Sequence, residues 1–244
     1  MCRSLLLSRP PFSDESLLGY LLWLVELNCY RKISWLFDLS KTPGQLWSKV
    51  SRAFLFSNSN LSELANLVKT KESLLSQKLH PGNFDSYKFS FFGHTVNYRS
   101  IHSLYPKICP ACIRDFNYIS AVWDFSLVTC CPLHNCMLIN ICPSCCKRIS
   151  WFRKKVAICR CGYDLRNSVL TTIDQDQTLL SKSIYNLVFN PQYRSILPIP
   201  LQTASLGDLF TILTFFVGTI EKIELKPQRI LLLQILTSPK VIKN

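Results

Sequence analysis

Acidic residues are scarce in this chain: 15 Asp and Glu stand against 28 Lys and Arg over 244 residues, a formal net charge of +13. The imbalance points to an anionic partner, most often nucleic acid, with a merely solvated basic face as the alternative. Glycine is scarce too. With 7 Gly, 13 Pro and 48% apolar residues, the chain is neither collagen-like nor a low-complexity or disordered tail. Long apolar runs are missing. The longest, Leu209 to Ile220, is broken by Thr and Gly and flanked by Asp208 and Glu221. A membrane-spanning helix needs ~20 apolar residues, so no membrane partner is expected. Near the N-terminus only Leu5-Leu6-Leu7 lies between Arg3 and Arg9-Pro10-Pro11, which is no secretory leader.

Signatures of catalysis are missing as well. There is no Walker A loop, no GxGxxG, no GxSxG, and no His-x-Glu of the kind a zinc deaminase needs. A two-metal nuclease or transposase needs clustered carboxylates. The central region holds only Asp115, Asp124 and Asp164, and no spacing marks them as a set. The expectation is a binding module and not an enzyme.

Cysteine is what the chain does have. Ten of twelve fall between Cys109 and Cys161, in close pairs. Without a leader, that pattern favours thiolates holding metal in a reducing cytoplasm over a disulfide scaffold. Cys109-Pro-Ala-Cys112 is followed after eighteen residues by Cys131-Pro-Leu-His134; Cys142-Pro-Ser-Cys145 is followed after thirteen by Cys159-Arg-Cys161-Gly162. A two-residue gap lets both ligands of a knuckle reach one ion, and a second knuckle completes a tetrahedron. Two structural zinc ions are therefore expected, one on Cys109, Cys112, Cys131 and His134, the other on Cys142, Cys145, Cys159 and Cys161. Four protein ligands close each ion to water. Three thiolates on Zn²⁺ give −1 and four give −2, which lowers the formal +13 to about +10.

Cys130 beside Cys131 and Cys146 beside Cys145 leave a local ambiguity, resolved only by the two-residue gaps. Cys136, Cys2 and Cys29 read as small buried hydrophobes. His80, His94 and His102 lack a second ligand at knuckle or helical spacing and read as surface or hydrogen-bonded core residues. Between the arms of the second cluster, Lys147, Arg148, Trp151, Phe152, Arg153, Lys154 and Lys155 interleave cations with aromatics. Such a hairpin tip can grip phosphates and stack on bases, or meet an acidic protein surface. The alternative is that the aromatics pack on the ribbon and the charges are solvated.

The expected fold is mainly helical with a small β component. Residues 1–86 form an N-terminal helical region, 87–108 an aromatic-rich linker or strands, 109–166 a tandem zinc-binding domain, and 167–244 a C-terminal helical region. Ser13 or Asp14 is the expected cap of a first helix carrying Leu17 to Leu27, with Asp14 and Glu15 in its first turn. Short helices are expected at 33–39 and 46–56. Helices over 61–68 and 73–79 have a helix-turn-helix outline in which Gln77 and Lys78 would face a groove; a packed helical hairpin is the competing reading. C-terminal helices are expected near 179–189, 206–220 and 229–236, with Leu209, Phe210, Phe215, Phe216 and Leu231–Leu233 as core.

The run Asp14-Glu15-Ser16-Leu17-Leu18-Gly19-Tyr20-Leu21 after Pro11, with Asn28 behind it, resembles the opening of the TniQ/TnsD family. The middle agrees in order: Cys109-Pro-x-Cys112, Trp123, Cys131-Pro-x-His134, Leu138, Cys142-Pro-x-Cys145, Cys159-x-Cys161-Gly162 and Leu165. The resemblance covers about residues 8–166. It implies a transposon target-selection adaptor in the bacterial cytoplasm, with a helix-turn-helix part and two zinc modules. It implies as partners DNA, the AAA+ ATPase regulator TnsC and, for shorter members, an RNA-guided CRISPR effector with its guide RNA; a second copy of the chain is left open. About 78 residues follow the second cluster, and Arg and Asn are sparse on the expected recognition helix. Both favour the CRISPR-linked adaptor over the self-targeting, sequence-reading selector. An unrelated zinc-ribbon transcription regulator is the alternative from another class.

Overall fold

The computed structural model describes residues 4–40, 55–56, 60–102, 104–190 and 201–222. Helix α1 (Leu17–Leu27) begins where the Ser16 hydroxyl accepts the Gly19 N–H at 3.0 Å. The cap is thus Ser16, not Ser13 or Asp14, because the two acids have other partners. Glu15 is buried and takes both arms of the Arg9 guanidinium (2.7 and 2.9 Å) and the Phe12 N–H. Asp14 accepts the hydroxyls of Tyr118 and Tyr185 at 3.1 and 3.2 Å. Eight of the eleven residues of α1 are buried, which explains its almost unbroken apolar sequence. Gly19 sits where a Cβ would lie 2.9 Å from that of Ile119, so the helix can approach the 118–121 segment this closely only with glycine there.

Helix α2 (Ser34–Ser40) matches the expected 33–39 segment to within a residue. Of the expected 46–56 helix, only Leu55 and Phe56 lie within the described residues, and both are buried. Helices α3 (Ser62–Leu67) and α4 (Glu72–Ser76) are shorter than their apolar patterns suggested. Lys78 lies beyond α4 and is buried. Its ammonium donates to the carbonyls of Phe12, Ser13 and Glu15 at 2.6, 3.1 and 2.9 Å. Gln77 is exposed, but Lys78 ties the turn to the N-terminal strap and is not free to enter a groove. Burial lowers its pKa to about 8.

The aromatic segment folds as an antiparallel meander of β1 (Gly82–Asn83), β2 (Lys88–Phe91) and β3 (His94–Asn97). Phe92 and Gly93, both at positive φ, form the two-residue turn between β2 and β3. Alternation buries Phe89, Phe91 and Val96 on one face. His80 packs against Phe91 and Phe56, with ring centroids 4.9 and 5.8 Å away, and burial pushes its pKa down to about 4. It is a neutral core histidine.

Helix α5 (Pro110–Phe116) and the two-stranded β4 (Cys130–Cys131)–β5 (Cys136–Met137) carry the first cysteines. Helix α6 (Gln175–Phe189) packs on β4, and α7 (Leu206–Lys222) lies against β3. Leu209 is buried as expected, whereas Phe215 and Phe216 are exposed. The expected helix at 229–236, with Leu231–Leu233, lies outside the described residues, as does Cys2. Cys29 is exposed in a left-handed turn instead of buried.

One apolar core runs from α1 through the aromatic meander to Trp123 and Trp151. The N-terminal helix is joined to the cysteine-rich part by the Ser16 N–H to the Ile119 carbonyl (2.9 Å) and the Ala121 N–H to the Asp14 carbonyl (2.7 Å). Lys107 is buried in this core, its ammonium donating to the carbonyls of Phe125 and Val128 at 2.8 and 2.6 Å. The architecture is therefore helices with small sheets. Among the described residues, no helix is long and apolar enough to cross a membrane.

Candidate metal centres

The first cluster is built from local turns. Cys109 caps α5, its sulfur accepting the Cys112 N–H at 3.4 Å, and Pro110 opens the helix where no N–H is needed. Asn117, left-handed, ends it. Cys131 ends β4 and His134 lies in the turn before β5, closed by the Asn135 N–H on the Cys131 carbonyl at 3.0 Å. The Cys112 and Cys131 sulfurs are 3.5 Å apart, and His134 Nδ1 is 3.6, 3.2 and 3.6 Å from Cys109, Cys112 and Cys131. A ~2.3 Å Zn–S bond at a tetrahedral ion gives S···S edges of ~3.8 Å and S···N edges of ~3.6 Å, so the donor set fits such an ion. Hydrogen bonds among the sulfurs hold the Cys109 thiol down and push the Cys112 thiol up. Thiols this crowded cannot all ionise without a cation among them.

Sequence reasoning missed Asp115. Its Oδ2 is 2.9 Å from His134 Nε2, the nitrogen turned away from the sulfurs. A carboxylate there fixes the ring and leaves Nδ1 as the ligand. The partners are nineteen residues apart, but Asp115 stands one helical turn after Cys112, which was the available signal. The other two central acids belong elsewhere: Asp164 pairs with Arg166 at 2.6 Å, and Asp124 is buried near Lys107.

The second cluster brings together Cys142, Cys145, Cys159 and Cys161; within each cluster the donor atoms all lie within 4.8 Å of one another. Cys142 and Cys161 are 3.7 Å apart, Cys145 and Cys159 4.0 Å. Each cluster could hold a metal ion with four protein donors. Gly162, at positive φ, turns the last knuckle.

The backbone resolves the neighbouring cysteines. Strand alternation sends Cys130 to the opposite side of β4 from Cys131, where its thiol meets Ser181 Oγ at 3.0 Å. Cys146 is the exposed, left-handed residue that closes the knuckle through its N–H on the Cys142 carbonyl (2.9 Å). Cys136 is buried opposite Cys131, 3.5 Å from the Cys109 sulfur, and its thiol is pushed up by that contact and by burial.

The basic hairpin divides. Trp151 is buried, and Arg153 is buried with it, donating to the carbonyls of Ser150, Lys155 and Val156. These two expected contact residues are structural, since the guanidinium has turned inward to serve carbonyls that the tight loop leaves without backbone partners. Lys147, Arg148, Lys154 and Lys155 are exposed, on two separate concavities.

A family model described as TniQ matches residues 6–138, from before the Ser16 cap to just past the first cluster. No match is found among curated proteins. The matched residues are more than half of the 244, and the chain belongs to the TniQ family, a family of non-catalytic target-selection adaptors associated with transposition.

Proposed function

We propose that this chain is a zinc-stabilised adaptor that links a targeting complex on DNA, an RNA-guided CRISPR effector with its guide RNA, to the AAA+ ATPase regulator TnsC, and so directs transposon insertion. It works in the bacterial cytoplasm. Two structural zincs, on Cys109, Cys112, Cys131 and His134 and on Cys142, Cys145, Cys159 and Cys161, hold the knuckles closed and preorganise the surface around them. Lys147, Arg148, Lys154 and Lys155 are the contact residues of this reading. The observation that carries it is the family match joined to two four-donor clusters that leave no open coordination position for catalysis.

The second reading, a self-targeting selector that reads duplex sequence, loses its one basic groove residue, because Lys78 is buried on three carbonyls. Two measurements test the choice. Zinc-loaded protein is used to capture TnsC, with and without the effector complex, and is put through binding selection on a random duplex library at near-physiological salt. Capture of the ATPase without an enriched duplex motif is expected. A single enriched motif in the absence of any guide would establish the self-targeting selector, and failure to capture the ATPase with or without the effector complex would overturn the adaptor reading.

A further inference from the structure

An open groove of about 1000 Å³ runs over the second metal cluster, with Cys145, Cys159 and Cys161 in its wall. Lys32, Lys147, Arg148 and Arg160 line it, together with Tyr105 and Phe152. These cations come from three parts of the chain: the loop after α1, the hairpin, and the last knuckle. No Asp or Glu lines the groove, and none of the four cations is in a salt bridge among the described residues. The Arg148 guanidinium lies 5.4 Å from the Tyr105 ring centroid, a cation–π distance that holds it over the aromatic floor. Phe152 keeps about a third of its surface exposed, 36%, although a large apolar ring gains by burial.

A zinc on four thiolates carries −2, so these cations include the counter-charge of the knuckle. Four positive charges exceed that demand, and Lys32 comes from outside the hairpin and knuckle altogether. The excess makes the groove attractive to an anion. The concavity on the other side of the hairpin contrasts with this one: Lys154, Lys155 and Arg31 share it with the Glu26 carboxylate, which accepts the Val156 N–H at 2.9 Å.

We infer that the groove lined by Lys32, Lys147, Arg148 and Arg160 binds a single-stranded polynucleotide, its phosphates on the cations and an unpaired base on Phe152. A duplex keeps its bases stacked on each other and presents only phosphates to such a wall, leaving Phe152 and Tyr105 without a role. An unpaired strand uses both features. This deepens the adaptor reading above and rests on it, since guide RNA and an unwound DNA strand are the single strands such an adaptor meets.

The test uses the zinc-loaded full chain and fluorescence anisotropy with labelled 15-nucleotide oligo(U), oligo(dT) and a 20-base-pair duplex. Single strands are expected to bind more tightly than the duplex. The double variant K147A/R148A should weaken them about tenfold or more, and F152A about fivefold or more. Lys32→Glu lies outside both knuckles and should act in the same direction with zinc content unchanged. The triple variant K147A/R148A/R160A should have a logarithmic salt dependence shallower than the parent's by about 2. K154A/K155A should stay within about twofold of the parent. Preference for oligo(U) assigns the groove to RNA and preference for oligo(dT) to an unwound DNA strand; either supports the inference. Tighter duplex binding overturns it, as does an unchanged affinity in K147A/R148A or an equal loss in K154A/K155A. If the ATPase is still captured in any of those cases, only the groove assignment falls and the adaptor reading stands.

Discussion

The two metal clusters share a donor chemistry and differ in almost everything around it. The first has three buried cysteines, a histidine braced by Asp115, a capped helix on one side and a β-hairpin on the other. It lies inside the segment matched by the family model. The second ends on an exposed cysteine, is made of loops, falls after residue 138 and borders the basic groove. Burial decides what a metal site does for a protein. A buried cluster substitutes for core that a short, loop-rich segment cannot supply, and its loss is felt by everything packed on it. A peripheral cluster fixes the shape of a surface.

Removing one ligand from each site gives the largest expected difference. Cys131→Ala should melt both the first site and the core that α1 and α6 share with it, because zinc knuckles contribute on the order of 10 kcal/mol of binding energy to folding. Cys161→Ala should loosen the hairpin and leave most of the helical signal. Circular dichroism melts would show a global loss in the first variant and a small one in the second; equal losses would erase the distinction.

Buried and exposed lysines sharpen the contrast. Lys78→Met removes the donor to three carbonyls, those of Phe12, Ser13 and Glu15, and should cost about 3 kcal/mol in urea unfolding. Lys147→Met, on the exposed rim, should change stability by less than about 0.5 kcal/mol. A cost for Lys78→Met as small as that would mean its three hydrogen bonds contribute nothing to the core.

Asp115→Asn should weaken metal binding at the first site about 10- to 100-fold while leaving the second site, which has no histidine, unaffected. Chelator competition at each site reads this directly. Equal weakening at both would show that the sites are coupled through the fold.

The smallest effect concerns acid. The folded pKa of His80 is about 4, below the ordinary 6.5, so the unfolded chain takes up more protons between those values. Its contribution is complete above pH 6.5 and is lost as pH falls toward 4. At pH 5 the loss is about 2 kcal/mol. His80→Phe keeps an aromatic ring against Phe56 and Phe91 and should make the loss of stability between pH 6.5 and 4 smaller, leaving the buried Asp124, raised by burial to about 7 and so opposing that loss, and the acid release of metal. An unchanged acid loss would mean that His80 does not contribute to it.

Much of this was legible in the sequence because the chemistry is local. A knuckle is a short turn, so its spacing displays both donors, and the donor sets can be read from the Cys-x-x-Cys, Cys-x-x-His and Cys-x-Cys pairs. The first helix was equally legible from its unbroken apolar run, although its cap was not. Asp14 and Glu15 are good first-turn residues, and only tertiary partners, Tyr118, Tyr185 and Arg9, draw them away. The same limit explains the basic residues. Lys78 and Arg153 read as ligand-binding charges, and nothing in the sequence marks Lys107 as buried. The fold buries all three, each donating to several backbone carbonyls that irregular segments turn toward it. Sequence displays which residues carry charge, whereas carbonyls in need of a donor exist only once the chain has turned. Asp115 was missed for a related reason, since its partner lies across the cluster.

Native mass spectrometry of the zinc-loaded chain tests the central claim most directly. Two closed four-donor sites predict two zinc ions on the parent protein, one on Cys161→Ala and at most one on Cys131→Ala, whose loss reaches the core that Cys142 and Cys159 share. A parent protein that holds a single zinc, or variants that keep both, would contradict the two-site account.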